Sequence, residues 1–556
     1  MGVLTRIFLL ASLCFLLSSS VPESPFAAVK REFRAVWVAT FHNIDWPSGK
    51  GLSADQQKRE YEDLLNRQQR NGMNAVIVQV RPSGDAFYES KFAPWSEYLT
   101  GTQGESPYPY YDPLGFMVRA THDRNMEFHA WFNPFRAVSH VRFSSVAYNN
   151  ISKQQPNWVF QYGDRLYLNP GLPAVRKYLV ATVMELVNNY DIDGLHFDDY
   201  FYPYTKDGIP LPDRTTFRRY GQGFSNIDDW RRNNIDSFIK ELSDSLKIVA
   251  PHIKFGISPV GIWRNKSKDQ RGSNTRVSHT SYDMLYADVR KWLELGWIDY
   301  VAPQLYWSTR HPSANYEALL PWWANNSFGR HCYIGHAMFK VKKDASRHWD
   351  NPTQLPLQLD MKKKHRSSIQ GSVFYSANSF NGNPHRMEDA LQNKYHKFPA
   401  LIPSMPWKDN IAPLAPEQLQ IYRDRDKVHL HWNMPKRASD GDLPRYFVVY
   451  RYLASERIDL ENPQKIVHIG RETTFTDLSS DPKQNYTYAV TSVDRLHNES
   501  KTLAAAMLRR TGYTRPGAEP DSLRTDTKVY PRYWDNRGQN LRRNTNSKSR
   551  FKKSGN

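Results

Sequence analysis

The stretch Asp193-Gly194-Leu195-His196-Phe197-Asp198-Asp199-Tyr200 alternates apolar and polar side chains and then runs into rings and a proline, Phe201-Tyr202-Pro203. Successive side chains of a strand point to opposite faces, so Leu195 and Phe197 share one face while His196 and Asp198 share the other. With the apolar pair packed toward helices, the polar pair points into the mouth of a parallel sheet. Asp199 faces away unless the strand has already ended, which the ring-rich continuation favours.

Amphipathic segments flank this run, 173–189 before it and 230–249 after it. The unit recurs along the chain. Eight short β-rich runs, at 35–41, 75–80, 127–132, 194–197, 254–257, 300–306, 332–335 and 372–375, alternate with helical patterns that include 54–71, 281–295 and 353–364. Such alternation is the pattern of a parallel β/α fold, and eight units within 31–397 predict a (β/α)8 TIM barrel with long insertions. An open doubly wound sheet would need a glycine-rich turn after its first strand, but the chain there reads His42-Asn43-Ile44-Asp45-Trp46-Pro47, which cannot cradle a pyrophosphate. No cofactor is expected.

Beyond a Pro-rich linker at 398–410 the texture changes to strands without helices. Over 411–509, alternating runs separated by turn residues predict an all-β antiparallel sandwich. Its segment from Tyr486 to Asp494 resembles a strand of fibronectin type III domains, and Trp432 resembles their core tryptophan. A spacing or docking role is expected of it.

The 556 residues exceed what one hydrophobic core supports, and 40% hydrophobic with 13% aromatic residues suffice for two. Residues 1–20 hold one cation, Arg6, then an apolar run from Ile7 to Leu17 and the small residues Ser18 to Ser20, the layout of a secretory signal peptide. An exported, periplasmic or envelope-associated protein is therefore expected. A lipoprotein anchor at Cys14 is disfavoured, because Leu13 stands where such sites need a small residue. After cleavage only Cys332 remains, so no internal disulfide can form, and its bland reading is a small buried residue on a strand. Much of the formal charge of +19 sits in the tail 510–556, rich in Lys and Arg and poor in apolar residues; the tail is expected to be disordered and to touch anionic envelope surfaces. Nucleic acid is not expected as a partner, since no nucleic-acid motif accompanies the charge.

In a TIM barrel the chemistry lies at the C-terminal ends of the strands. There the chain offers Asn43, Asp45 and Trp46; Gln79, Arg81 and Asp85; His129, Asn133 and Arg136; His196, Asp198 and Asp199; and Gln304, Tyr306 and Trp307. Glycosidic cleavage generally needs two carboxyl groups, one to protonate the leaving oxygen and one to act as nucleophile or base. Asp198 is the first candidate, with Asp199 in reserve. For a partner the sequence offers Asp85, Asp45, Glu89 and Asp283 without deciding. Trp46, Trp95, Tyr200, Tyr306 and Trp307 are candidate sugar platforms, since sugar rings present apolar C–H faces to flat side chains. His129 and His196 are candidates for holding the sugar or the acid. A metal site built from His42, His129, His196 and Asp198 is the rival chemistry, but no short-spaced His-x-His or His-x-x-x-His pair supports it.

Several motifs in order carry a specific resemblance. Arg34-Ala35-Val36-Trp37-Val38-Ala39-Thr40, Asn43 to Pro47, Gln79-Val80-Arg81-Pro82, Gly84-Asp85-Ala86, Pro94-Trp95-Ser96, Phe128 to Pro134, Leu168 to Gly171, His196 to Tyr204 and Ala302 to Trp307 together resemble the glycosyl-hydrolase-like family ten of bacteria across nearly all of 32–390. The resemblance implies a TIM barrel and hydrolysis of β-linked glycans, with peptide-free peptidoglycan strands as the polysaccharide. The alternative is a barrel that binds cell-wall glycan without cleaving it.

Overall fold

A computed structural model of the chain describes residues 28–206, 208–344 and 347–508, together with the backbone of Lys528–Pro531. The segment expected to be a signal peptide, with Cys14, and all of the basic tail except Lys528–Pro531 lie outside the described residues. Two compact units divide the chain, the first comprising residues up to Asn410 with Asp459–Ile466 and Arg495–His497.

In the first unit eight parallel strands close on themselves. They are β1 Phe33–Val38, β2 Ala75–Arg81, β3 Glu127–Phe132, β4 Gly194–Phe197, β5 Lys254–Ile257, β6 Tyr300–Val301, β7 His331–His336 and β8 Gly371–Phe374. Neighbours in sequence are neighbours in space, and β8 pairs with β1 to complete the TIM barrel. Each of the eight apolar runs becomes a strand. β1 stops at Val38, short of the expected end, because Phe41–Asn43 winds into a tight turn with His42 and Asn43 at φ 53°. β6 is shorter than expected because Pro303 has no amide hydrogen for the ladder; pairing resumes only as bridges from Gln304 to Val260 and Gly335.

The helices follow the same logic. Ala54–Arg70 opens on a reciprocal capping box between Ser53 and Gln56, and Pro173–Asn189 has a proline in its first turn, where no amide is needed. The helix expected over 281–295 is two, Ser281–Met284 and Val289–Glu294. Tyr286 turns to φ 55° between them, and the Asp288 carboxylate caps the second by accepting from the Lys291 amide. Among the described residues no helix is long and apolar enough to cross a membrane.

Strand alternation sorts the core. Val36, Val38, Val76, Val78, Phe128 and Leu195 face the helices, whereas Phe33, Ala35, Trp37, Tyr300, Tyr333 and Val373 fill the barrel interior. Phe33 stacks on Tyr333 with ring centroids 4.1 Å apart. Gly194 and Gly256 make this possible: a Cβ at the first would collide with the His129 ring and at the second with the Tyr300 ring. Cys332 is buried on β7. Between β3 and the helix Pro173–Asn189, a small antiparallel sheet of Arg136–Val138, Arg165–Leu168 and Val159–Tyr162 is inserted.

The second unit holds two antiparallel sheets. Glu417–Asp424, Lys427–Asn433 and Thr474–Asp477 form one; Ile466–Gly470, Tyr446–Leu453, Tyr486–Val493, Thr502–Leu508 and Lys528–Pro531 form the other. Leu430 and Trp432 from one sheet share a core with Phe447, Val449, Tyr488 and Val490 from the other, so this is a β-sandwich. Lys528–Pro531 departs from the expectation of a disordered tail: its backbone adds to Thr502–Leu508 as an edge strand. An open sheet edge offers unpaired amides and carbonyls to any extended segment, whatever its apolar content.

Candidate active site

At the C-terminal end of β4 the chain leaves the strand after Phe197, and alternation no longer governs the next residues. Asp198 and Asp199 are both buried, 4% and 6% exposed, yet each turns its carboxylate onto donors from neighbouring strand ends. Asp198 Oδ2 accepts from the Trp131 indole at 3.1 Å and from Asn133 Nδ2 at 2.6 Å, while Oδ1 accepts from the Tyr200 amide at 3.2 Å. Asp199 Oδ1 accepts from Gln304 Nε2 at 3.0 Å, and its Oδ2 takes a short hydrogen bond from the Tyr204 hydroxyl.

These donors are themselves fixed. Gln79 Oε1 accepts from the amides of Thr40 at 3.1 Å and Phe41 at 2.9 Å, which leaves Gln79 Nε2 to donate to Asn133 Oδ1 at 2.5 Å. With its carbonyl oxygen so occupied, Asn133 can present only its amide hydrogens to Asp198. Gln304 Nε2 also donates to the Ser258 carbonyl at 2.9 Å. Burial and then the neighbouring Asp199 charge push the Asp198 carboxyl up to about 7; burial likewise raises Asp199, against the pull of Tyr204, Gln304 and Arg136. Since two N–H donors fill Asp198 Oδ2, the proton of the neutral acid belongs on Oδ1.

Below the pair runs a chain of buried polar groups along the barrel interior. The Trp37 indole can only donate, at 3.2 Å to His196 Nε2, so the His196 proton lies on Nδ1 and faces the Tyr300 hydroxyl at 3.0 Å. Tyr300 then donates to His129 Nδ1 at 2.8 Å, and His129 Nε2 donates to Glu127 Oε2 at 3.0 Å. Glu127 ends the chain against Lys254; burial alone would raise its carboxyl, but the Lys254 charge holds it well below the usual range. Burial keeps His196 neutral.

The barrel thus gathers Asp198, Asp199, Asn133 and Gln304 as the sequence suggested, and four of the candidate rings are half-buried. Tyr200 lies under the Arg136 guanidinium at 4.7 Å, and Tyr306 sits 6.3 Å from the ring of Tyr375. Trp307 is also half-buried; its carbonyl accepts from Gln358 at 2.9 Å. Trp95 stands edge-on to Tyr110 at 6.4 Å.

Other candidates are placed differently. His129 and His196 are fully buried inside the barrel, with both ring nitrogens of each engaged, so they do not line the mouth or converge as metal ligands with Asp198. Trp46 is 1% exposed, donates to the Gln57 carbonyl at 2.8 Å and packs on Tyr61, which makes it core rather than platform. Arg81 is fully buried over the Phe132 ring, donating to the carbonyls of Asn133 and Pro134. Asn43 spends its amide on the carbonyls of Pro47 and Tyr98. Asp45 is a latch between barrel strands: it accepts from the Ala39 amide at 2.7 Å, Ser376 Oγ at 2.8 Å and the Asn378 amide at 2.7 Å. Asp85 is buried beside Gln103, at 3.3 Å, in the loop after β2, and no contact joins it to the β4 pair among the described residues.

Tyr204, Tyr375 and Ser258 were not singled out as site residues. Tyr204 lies in the same motif as the aspartates, but its reach back to Asp199 depends on the path of the loop, which no spacing reveals.

Comparison with known proteins agrees with this geometry. The family described as Glycosyl hydrolase-like 10 matches residues 32–351. Glycosyl hydrolase YngK of Bacillus subtilis is 44% identical over 87% of this chain and 94% of its own length. Glycosyl hydrolase DigH of Escherichia coli strain K12 is 37% identical over 66% of this chain and 87% of its own.

Proposed function

The chain belongs to the Glycosyl hydrolase-like 10 family and is a glycoside hydrolase, and from that premise we propose that it is exported and cleaves β-linked glycan strands, above all peptidoglycan stripped of its peptides. The observation that carries the chemistry is the buried carboxyl pair at the end of β4. A carboxyl raised to about 7 by burial and by its neighbour's charge is protonated at the moment a leaving oxygen needs a proton. Asp198 is that acid, with the proton on Oδ1. Gln79 and Asn133 fix its orientation, and Asp199, whose charge raises Asp198, accepts from a hydroxyl and an amide. Tyr200, Tyr306 and Trp307 offer apolar faces to the sugar rings. Export is supported by the composition of residues 1–20.

The test is a panel of intact peptidoglycan, denuded strands, chitin and other β-glucans, with soluble products identified by mass spectrometry. New reducing ends are expected from denuded strands, and Asp198→Asn is expected to lower kcat at least about a hundredfold. Products from other β-glucans but not from denuded strands would overturn the substrate; wild-type turnover by Asp198→Asn would remove it from the mechanism.

A further inference from the structure

The two acids of the site are consecutive residues, Asp198 and Asp199, and enter from a single strand end. Consecutive Cα atoms are ~3.8 Å apart, so both carboxyls approach a sugar ring bound across the mouth from the β4 side. An acid and a carboxylate nucleophile or base instead flank that ring from opposite faces, a placement that barrels reach with residues from the ends of different strands. Carboxylates on the surrounding loops are held elsewhere. Asp45 is filled by three donors, Asp85 lies beside Gln103, Glu89 takes the Tyr110 hydroxyl at 2.9 Å, and Asp283 pairs with Arg264 at 2.9 Å.

Within the reading that this site cleaves glycan strands, we infer that the nucleophile is the substrate's own 2-acetamido oxygen, so that the bond cut is the glycosidic bond of an N-acetylated hexosamine. The acetamido oxygen forms a bond to C1 as the glycosidic C1–O bond breaks. The electron pair stays on the leaving oxygen, which takes the proton from Asp198 Oδ1. The resulting oxazolinium ion carries positive charge on its ring nitrogen, and its N–H donates to the ionised Asp199. Tyr204 and Gln304 hold that carboxylate in place, one donor on each oxygen, which leaves a lone pair on each for the incoming N–H. Water then attacks C1, its proton returns to Asp198, the bond from C1 to the acetamido oxygen breaks, and the sugar leaves with its configuration retained.

The experiment uses the full chain with denuded strands, the same strands after chemical N-deacetylation, and an N-acetylglucosamine thiazoline that mimics the oxazolinium ring. Expected are retention of anomeric configuration by NMR, loss of cleavage at N-deacetylated residues, and thiazoline binding by calorimetry. Asp199→Asn is expected to weaken that binding at least tenfold and to leave the fold intact by circular dichroism. Inversion, equal cleavage of N-deacetylated strands or a covalent glycosyl-enzyme trapped by a 2-fluoro sugar would each overturn the inference. Thiazoline binding is read without turnover, so its absence overturns the inference even where strands are cut, whereas binding without any strand cleavage leaves the inference standing and removes the substrate proposed above.

Discussion

At about pH 4 and below, Asp198 is protonated in both the folded and the unfolded chain, but between that pH and neutrality only the unfolded chain releases the proton. The folded site keeps it because burial and the Asp199 charge raise the carboxyl to about 7. The folded state then binds more protons, so this carboxyl lowers stability progressively as pH rises from about 4 toward 7 and by a constant amount above. Asp198→Asn removes the titration at nearly constant shape. Its melting temperature is expected to exceed that of the wild type at pH 8, with the gap closing as the pH approaches 4; a gap that does not change with pH would show that Asp198 is not held neutral. Activity is expected to fall on the alkaline side as the pair loses its shared proton, with an apparent value that belongs to both aspartates.

Among the elements, β1 and β8 are joined by their ladder and, beyond it, by one side chain. Asp45 ties the turn after β1 to the loop after β8 by accepting from Ala39, Ser376 and Asn378. Asp45→Ala leaves two buried donors, the Ala39 amide and the Ser376 hydroxyl, unfilled beside the half-buried Asn378 amide, and at ~1 kcal/mol or more for each buried one the expected loss is about 2 kcal/mol, read as a lower urea midpoint at unchanged slope. A loss below ~1 kcal/mol would mean that water enters and satisfies these groups. Strand and helix identities were legible at this scale because periodicity 2 and 3.6 report which face is buried. Asp45 itself read as a sugar ligand, since nothing in the local sequence reveals that residues 376 and 378 fold back onto it.

For the molecule as a whole, the tail tests how far local composition decides structure. Deleting 532–556 is expected to leave the melting temperature unchanged, whereas deleting 515–556 also removes Lys528–Pro531 and bares the edge of Thr502–Leu508, lowering the melting temperature of the sandwich. Turnover of short glycan fragments is expected to be the same for both truncations and the full chain. Reduced turnover in either would give the tail a part in catalysis. The cationic residues of 510–556 are expected to add salt-sensitive retention on anionic walls, since such contacts are screened beyond ~8 Å at physiological ionic strength.

The sequence alone determined the barrel, the sandwich and the position of Asp198. Alternating apolar runs and amphipathic segments are local signals of burial, and eight of them in order leave one closed parallel arrangement. It also pointed to the strand ends, where Asn133 meets Asp198 and Gln304 meets Asp199. Only the tertiary structure decided which polar residues face the mouth and which fill the barrel. His129 and His196 have the same local pattern as a ligand on a strand end, yet Gly194 and Gly256, on neighbouring strands, open the interior to rings, and Tyr300 from β6 bridges the two histidines there. A hydrogen-bond partner one or two strands away is set by the closure of the barrel, and that register is not written in the residues on either side of the histidine.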